Sequence, residues 1–434
     1  MTRPAPKQFN RTQALYERAL RTIPLASQTF SKSAMNFVRG ASPLFMSRAH
    51  DCRTWDVDGN EYIDYMLGLM PIILGYCDPD VDAAIRAQLD RGIIFSLATE
   101  LEVELAERLV RMIPCAEMVR FGKNGSDATS AAVRLARAHT GRDRVAVCGY
   151  HGWHDWYIGS TTRSLGVPAA VRALTTTFTY GDVEGVERLL GGDPNGFAAL
   201  VLEPVAPNGG DKHFLSALRS LTEHYGVVLV FDEIVSGFRI DLGGAQKVYG
   251  VTPDLACFGK AMGNGMPIAA VLGRAEIMRH MEDIFFSGTF GGEALSLAAS
   301  IATIDKLTAL NGPKRIESVG TFLLREIAAV LQQAGLPEIS IGGMPWHPIV
   351  KVTAEGARAM TITSLLRQEL IASGILGGGG INICIAHDEP AILETTIARW
   401  KQAASAVCEA VRSPDPAKYL RGDPIRPVFQ VRAQ

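Results

Sequence analysis

Asp232 and Lys260, 28 residues apart, are charged groups set in uncharged surroundings. Asp232 follows the apolar run "VVLVF", so it emerges at the end of a buried strand. An acid there either caps a turn or helix, or holds a cationic ring nitrogen. A carboxylate that keeps a bound pyridinium protonated makes the ring an electron sink. Glu233 beside it reads as a structural partner, and Ile234 as an apolar side chain available to a ring face. Lys260 stands in "CFGKAMGNG", where Gly259, Gly263 and Gly265 give it little side-chain cover. It is either a solvated loop lysine or a partly desolvated amine. Desolvation lowers an amine's pKa and lets it condense with an aldehyde to a Schiff base. Contact with a phosphate is a third use, but "GKAMGNG" lacks the GxxxxGK[ST] order of a Walker loop.

Two further stretches bear on the same chemistry. In "GKNGSDATSAAVRLARAH" the residues Gly125, Ser126 and Asp127 precede a helix expected to begin near Ala128. Backbone amides and a hydroxyl there suit a phosphate, although the same pattern serves as an ordinary N-cap. In "CGYHGWHDWY", Tyr150 can lie flat on a ring with His151 supporting it, or the two can be core residues. His151 and His154 suggest a metal, but no third convergent ligand is evident.

These residues need strands to carry them. Short apolar runs ("VAVCGY", "FAALVLEPV", "VVLVF") alternate with helix-length segments ("DATSAAVRLARAH", "HFLSALRSLTEHY") between about 66 and 309. That order predicts an α/β domain with a large, mostly parallel sheet, helices on both faces and its ligand at the strand carboxyl ends. Residues 1–65 read as an N-terminal arm with a short helix over Thr12–Ile23 and a hairpin at Asp58-Gly59, forming part of a small domain. Residues 310–434 read as a smaller α+β unit.

The 434 residues carry 43 Lys plus Arg against 45 Asp plus Glu, with no long basic block to follow a nucleic-acid backbone or an anionic membrane. Seven scattered cysteines without a CxxC pair point to a reduced compartment. The longest apolar run, "YMLGLMPIILGYC", is too short for an ordinary span, and no signal-peptide pattern opens the chain. A cytoplasmic protein acting on small molecules is expected.

The stretches "WDVDGNEYIDY", "MVRFGKNGSDATSAAVRLARAHTGRDRV", "YHG", "EPV", "FDEIVSGFR", "PDLACFGKAMGNGMP" and "SGTFGGEALSLAA" occur in an order that resembles the class III, fold-type I pyridoxal-phosphate (PLP) aminotransferases. The resemblance runs from about 50 to 305 and is most pronounced with the branch containing glutamate-1-semialdehyde 2,1-aminomutase. It implies that Lys260 is the Schiff-base lysine and proton-transfer group, and that Asp232 partners the pyridine nitrogen. Ile234 and Tyr150 would take the two ring faces, His151 would support the ring, and Gly125 and Ser126 would hold phosphate. Thr289 would reach the phosphate from the neighbouring subunit of a homodimer, and Glu203 of "LEPV" would lie near the cofactor and its attached group. The reaction implied is ping-pong transfer of an amino group, through aldimine and ketimine, from a donor to a keto acid, aldehyde or keto-sugar.

The chain departs from the aminomutase pattern in three places. Lys32 stands where an arginine would receive a substrate carboxylate, and lysine lacks the planar two-pronged fork. The segment after "YHG" is shorter and aromatic, with Trp153 and His154 offered to a substrate. Glu293-Ala294 replaces Asn-Pro. A shorter lid retains a small intermediate less well, so a two-substrate aminotransferase is expected, with intramolecular amino transfer as the alternative.

Overall fold

A computed structural model describes residues 7–426. The outermost residues of the expected first and last segments lie outside that range. The chain forms two compact units. One is Pro79–Lys314; the other joins the described residues up to Asp78 to those from Arg315 onward.

The larger unit is built on a seven-stranded sheet. Its order across the width is Met118–Gly122, Ala269–Gly273, Leu255–Phe258, Val228–Asp232, Phe197–Leu202, Arg144–Cys148 and Thr175–Thr177. The strand Ala269–Gly273 runs antiparallel to both its neighbours, and the remaining strands share one direction. The apolar runs become these strands because both faces are covered: every residue of Phe197–Leu202 and Val228–Asp232 is buried. Full burial of each such Val, Leu or Phe contributes roughly 1.5–3 kcal/mol, which offsets the cost of bringing charged groups to the strand ends. The helix Gly125–Thr140 packs over the central strands through Ala128, Ala131, Ala132, Leu135 and Ala136, and small side chains permit that close approach. Gly226, in the left-handed conformation at φ +60°, stops the helix Lys212–Tyr225 and turns the chain into the strand that ends at Asp232.

The smaller unit has a four-stranded sheet in the order Met46–His50, Arg53–Asp56, Glu61–Asp64 and Ile375–Leu376, with a separate hairpin of Ile339–Met344 and His347–Val352. The expected turn at Asp58-Gly59 joins Arg53–Asp56 to Glu61–Asp64. The first helix covers Asn10–Ala19 and so ends earlier than Ile23. The boundary between units falls after Asp78 where the sequence pattern placed it after 65. Residues 65–78 stay with the smaller unit because Ile385 and Ala386 donate to the carbonyls of Ile73 and Leu74, and Asn382 donates to that of Tyr65. Parallel pairing of Ile375–Leu376 with Ile63–Asp64 joins the two ends of the chain into one body. Among the described residues, no helix is long and apolar enough to cross a membrane.

Candidate active site

The strands sharing one direction bring their carboxyl ends to one edge of the sheet. Tyr150 and His151 follow Cys148, Glu203 follows Leu202, Asp232 closes its own strand, and Lys260 follows Phe258. Gly125 and Ser126 open the helix that follows Gly122 at the same edge.

Asp232 is buried, and its Oδ2 lies 2.8 Å from His151 Nδ1, while its Oδ1 accepts from the Ile234 amide at 3.1 Å. His151 Nε2 lies 3.0 Å from the carbonyl of Cys148. A carbonyl only accepts, so a proton belongs on Nε2, and the contact between Nδ1 and the carboxylate needs a second proton between them. The ring thus anchors one carboxylate oxygen.

Lys260 is mostly enclosed and adopts φ +38°, a left-handed conformation that costs a non-glycine residue of order 1–3 kcal/mol. Burial pushes its pKa below the usual lysine range. The charges of Asp232 and Glu203 oppose that shift, and Arg239 reinforces it. Glu203 responds in the opposite sense. Burial first, and the Asp232 charge second, raise its carboxyl above the ordinary range, against His151, the Tyr150 amide and Lys260. Glu203 Oε1 accepts that amide at 2.8 Å. Asp232, His151, Glu203 and Lys260 therefore form one electrostatic group.

The phosphate-competent end is equally constrained. Asp127 Oδ2 accepts the amides of Lys123 at 3.0 Å and Asn124 at 2.8 Å, so the helix starts at Gly125, earlier than the expected Ala128. The amides of Gly125 and Ser126 donate to no other described residue. Ile234 is wedged beside them: a methyl on Gly125 would come within 3.2 Å of its side chain, and one on Gly259 within 3.0 Å.

Residues 36–344 match the family described as aminotransferase class-III. The chain belongs to that family. A 3-aminobutyryl-CoA aminotransferase of Cloacimonas acidaminovorans (strain Evry) is 36% identical over 393 residues, 87% of this chain and 93% of that protein. A glutamate-1-semialdehyde 2,1-aminomutase of Citrifermentans bemidjiense is 38% identical over 358 residues, 78% of this chain and 83% of that one. The FumI protein of Sphingopyxis sp. MTA144, solved in a PLP internal aldimine form, is 30% identical with a TM-score of 0.88, covering 94% of this chain and 99% of that one. An omega-transaminase from Sphaerobacter thermophilus is 27% identical with a TM-score of 0.85, covering 91% and 97%. This class III aminotransferase is a PLP-dependent enzyme of the fold-type I architecture, and it moves amino groups by Schiff-base chemistry.

The residues present fit the cofactor. Uncommitted amides at Gly125 and Ser126 suit its phosphate, buried Asp232 suits a cationic ring nitrogen, and the depressed Lys260 amine suits its aldehyde. Tyr150 is 47% exposed, and its ring stands perpendicular to that of Tyr157 at 5.7 Å. Gly152 links the two ends of the site. At φ +104° it brings the Trp153 amide to Ser126 Oγ at 3.3 Å, and a methyl there would sit 2.2 Å from that oxygen. Gly152→Ala should lower stability by about 1–3 kcal/mol and weaken cofactor binding, read by thermal unfolding and PLP titration.

Other expected site residues make contacts of their own. His154 Nδ1 is held by Ser130 Oγ at 2.6 Å, and the same hydroxyl accepts from Trp156 Nε1 at 2.9 Å, whereas Trp153 is 68% exposed. Thr289 is exposed in the segment before helix Ala294–Ala309, and no hydrogen bond joins it to the cluster among the described residues. Lys32 belongs to the smaller unit. It is exposed at the end of the turn Phe30–Lys32, and its charge opposes the upward push of burial on the Asp64 carboxyl. Glu233 caps the helix Gly244–Tyr249 by accepting the amides of Ala245 and Gln246. Arg239 went unassigned in the sequence; its place in "FDEIVSGFR", seven residues after Asp232, was the available signal.

The raised Glu203 pKa fixes the sign of a stability effect. Its neutral form is favoured in the fold, so the contribution is present below the ordinary carboxyl value and is lost as pH rises through the folded one. Glu203→Gln keeps the acceptor for the Tyr150 amide. It should raise the unfolding midpoint near pH 7 and leave it unchanged well below pH 4.5, as pH-resolved thermal unfolding would show.

Proposed function

We propose that this enzyme is a two-substrate aminotransferase that exchanges an amino group between a small-molecule donor and a separate carbonyl acceptor. The carrying observation is the electrostatic group of Lys260, Asp232, His151 and Glu203 beside the free amides of Gly125 and Ser126. The cofactor, when bound, supplies an aldehyde for Schiff-base formation and a cationic ring that takes up electrons. Lys260 would hold the cofactor's aldehyde and would serve as the base for the substrate's Cα proton and as the acid that returns one. Burial that lowers its pKa below the usual lysine range favours the neutral amine such a base needs. Asp232, anchored by His151, would hold the ring's positive charge. Ile234 and Tyr150 would take the ring faces, and the amides of Gly125 and Ser126 would donate to the phosphate. Glu203 would lie near the ring and the attached substrate, and Trp153 and His154 would border that substrate.

Thr289 is assigned to the phosphate of a neighbouring subunit. Apolar exposure supports a homodimer: Leu97 (86%), Phe285 (84%) and Phe290 (58%) lie exposed, and a groove of about 970 Å³ lined by Val103, Val110 and Phe286 lies in the same unit. The free cysteines suit a cytoplasmic location.

Between the aminotransferase and aminomutase branches, Lys32 in place of arginine and the short aromatic "WHDW" segment favour exchange with a second substrate. Glu293, where the aminomutase pattern has Asn, caps helix Ala294–Ala309 and pairs with Lys123 at 3.1 Å. The test supplies glutamate 1-semialdehyde alone, and separately one amine followed by one keto compound. Exchange only in the second arm is expected. Turnover of the semialdehyde without a partner would overturn the reading in favour of intramolecular transfer.

A further inference from the structure

The smaller unit contains a guanidinium that no carboxylate answers. Arg367 lies on helix Gly356–Ser373, and its Nη1 donates to the Asn36 carbonyl at 2.7 Å. Its Nε is buried without an acceptor, and among the described residues no ion pair reaches it. Nearby arginines differ: Arg358 pairs with Glu338 at 2.9 Å and Arg421 with Glu369 at 3.2 Å. Burial alone presses the Arg367 pKa downward. Taking a guanidinium out of water without an anion is costly, so its partner is expected from outside the chain.

The backbone beside it supplies more donors. Strand Ile375–Leu376 runs into four consecutive glycines, Gly377–Gly380. A methyl on Gly379 would lie 3.3 Å from Arg367 Nη2, and one on Gly378, at φ +130°, would lie 2.8 Å from Arg367 Cγ. The glycine run thus passes close to the Arg367 side chain. The Gly379 carbonyl is taken by the Val350 amide at 2.9 Å, yet the amides of Gly377, Gly378, Gly379 and Gly380 donate to no other described residue. The His347 ring closes the far side, where a methyl on Gly380 would meet it at 2.4 Å.

We propose that Arg367 and the amides of Gly377–Gly380 form an anion site for the carboxylate or phosphate of a small molecule. The glycine amides have no other partner among the described residues, and the guanidinium beside them is a planar donor fork of the kind that matches two oxygens.

The test uses the holoenzyme, wild type, Arg367→Met and Arg367→Lys, titrated calorimetrically with inorganic phosphate and with acetate. Saturable binding of either anion to the wild type is expected, weakened about tenfold or more in Arg367→Met and partly recovered in Arg367→Lys. Absence of anion binding to the wild type, or equal binding to Arg367→Met, overturns the proposal. If Arg367→Met does not fold, the wild type and Arg367→Lys decide it.

Discussion

Lys260→Ala should abolish the covalent cofactor absorbance and lower amino transfer by at least about 10³-fold. The chain positions this amine at some expense. It is held at φ +38° between Phe258 and Ala261, in surroundings that push its pKa down by burial. A small exogenous alkylamine should restore part of the proton transfer in the alanine variant, read as single-turnover rate against amine concentration. A purely structural lysine would not be rescued in this way. Stability should move oppositely to activity. A lysine whose folded pKa lies below 10.5 contributes stability above that value and loses it as pH falls through the folded one. In the cofactor-free protein near pH 7, Lys260→Met should therefore raise the unfolding midpoint while eliminating turnover.

Asp232→Asn should lower the transfer rate by about 10²–10³-fold while the cofactor still attaches to Lys260. The carboxylate is buried at the end of Val228–Asp232, one oxygen held by His151 at 2.8 Å and the other by the Ile234 amide at 3.1 Å. Asparagine preserves the shape and removes the negative charge that keeps a ring nitrogen cationic. Rapid-mixing spectra should show normal occupancy with slow conversion. Because the Asp232 charge helps to raise the Glu203 pKa, the same substitution should lower that pKa, measurable as a shift in the acid limb of the rate profile. Loss of occupancy in proportion to rate would mean that Asp232 acts as a scaffold.

The chemistry of the larger unit was legible because it sits on strong local patterns. "VVLVF" predicts a buried strand, the residue after it is Asp232, and the glycines around Lys260 mark a turn with little cover. The parallel strands then do what such sheets do, collecting their loops at one edge. What was not legible depends on contacts distant in sequence. Ile375–Leu376 is a two-residue strand whose pairing with Ile63–Asp64 leaves no periodic signal, and it moves the domain boundary past residue 65. The helix start at Gly125 depends on Asp127 folding back onto the amides of Lys123 and Asn124, which the apolar spacing does not record. Gly152 looks like any glycine after a histidine, and only its approach to Ser126 Oγ reveals why a side chain is excluded. Arg367 reads as one polar residue on a helix, and the absence of a carboxylate partner among the described residues is visible only in three dimensions.

The central claim is that Lys260 carries the cofactor. Its most direct test is borohydride reduction of the holoenzyme followed by peptide mass mapping. The account predicts a single pyridoxyl adduct on the peptide containing Lys260, formed in Asp232→Asn as in the wild type. An adduct on another lysine, or none after reduction of cofactor-saturated enzyme, would contradict it.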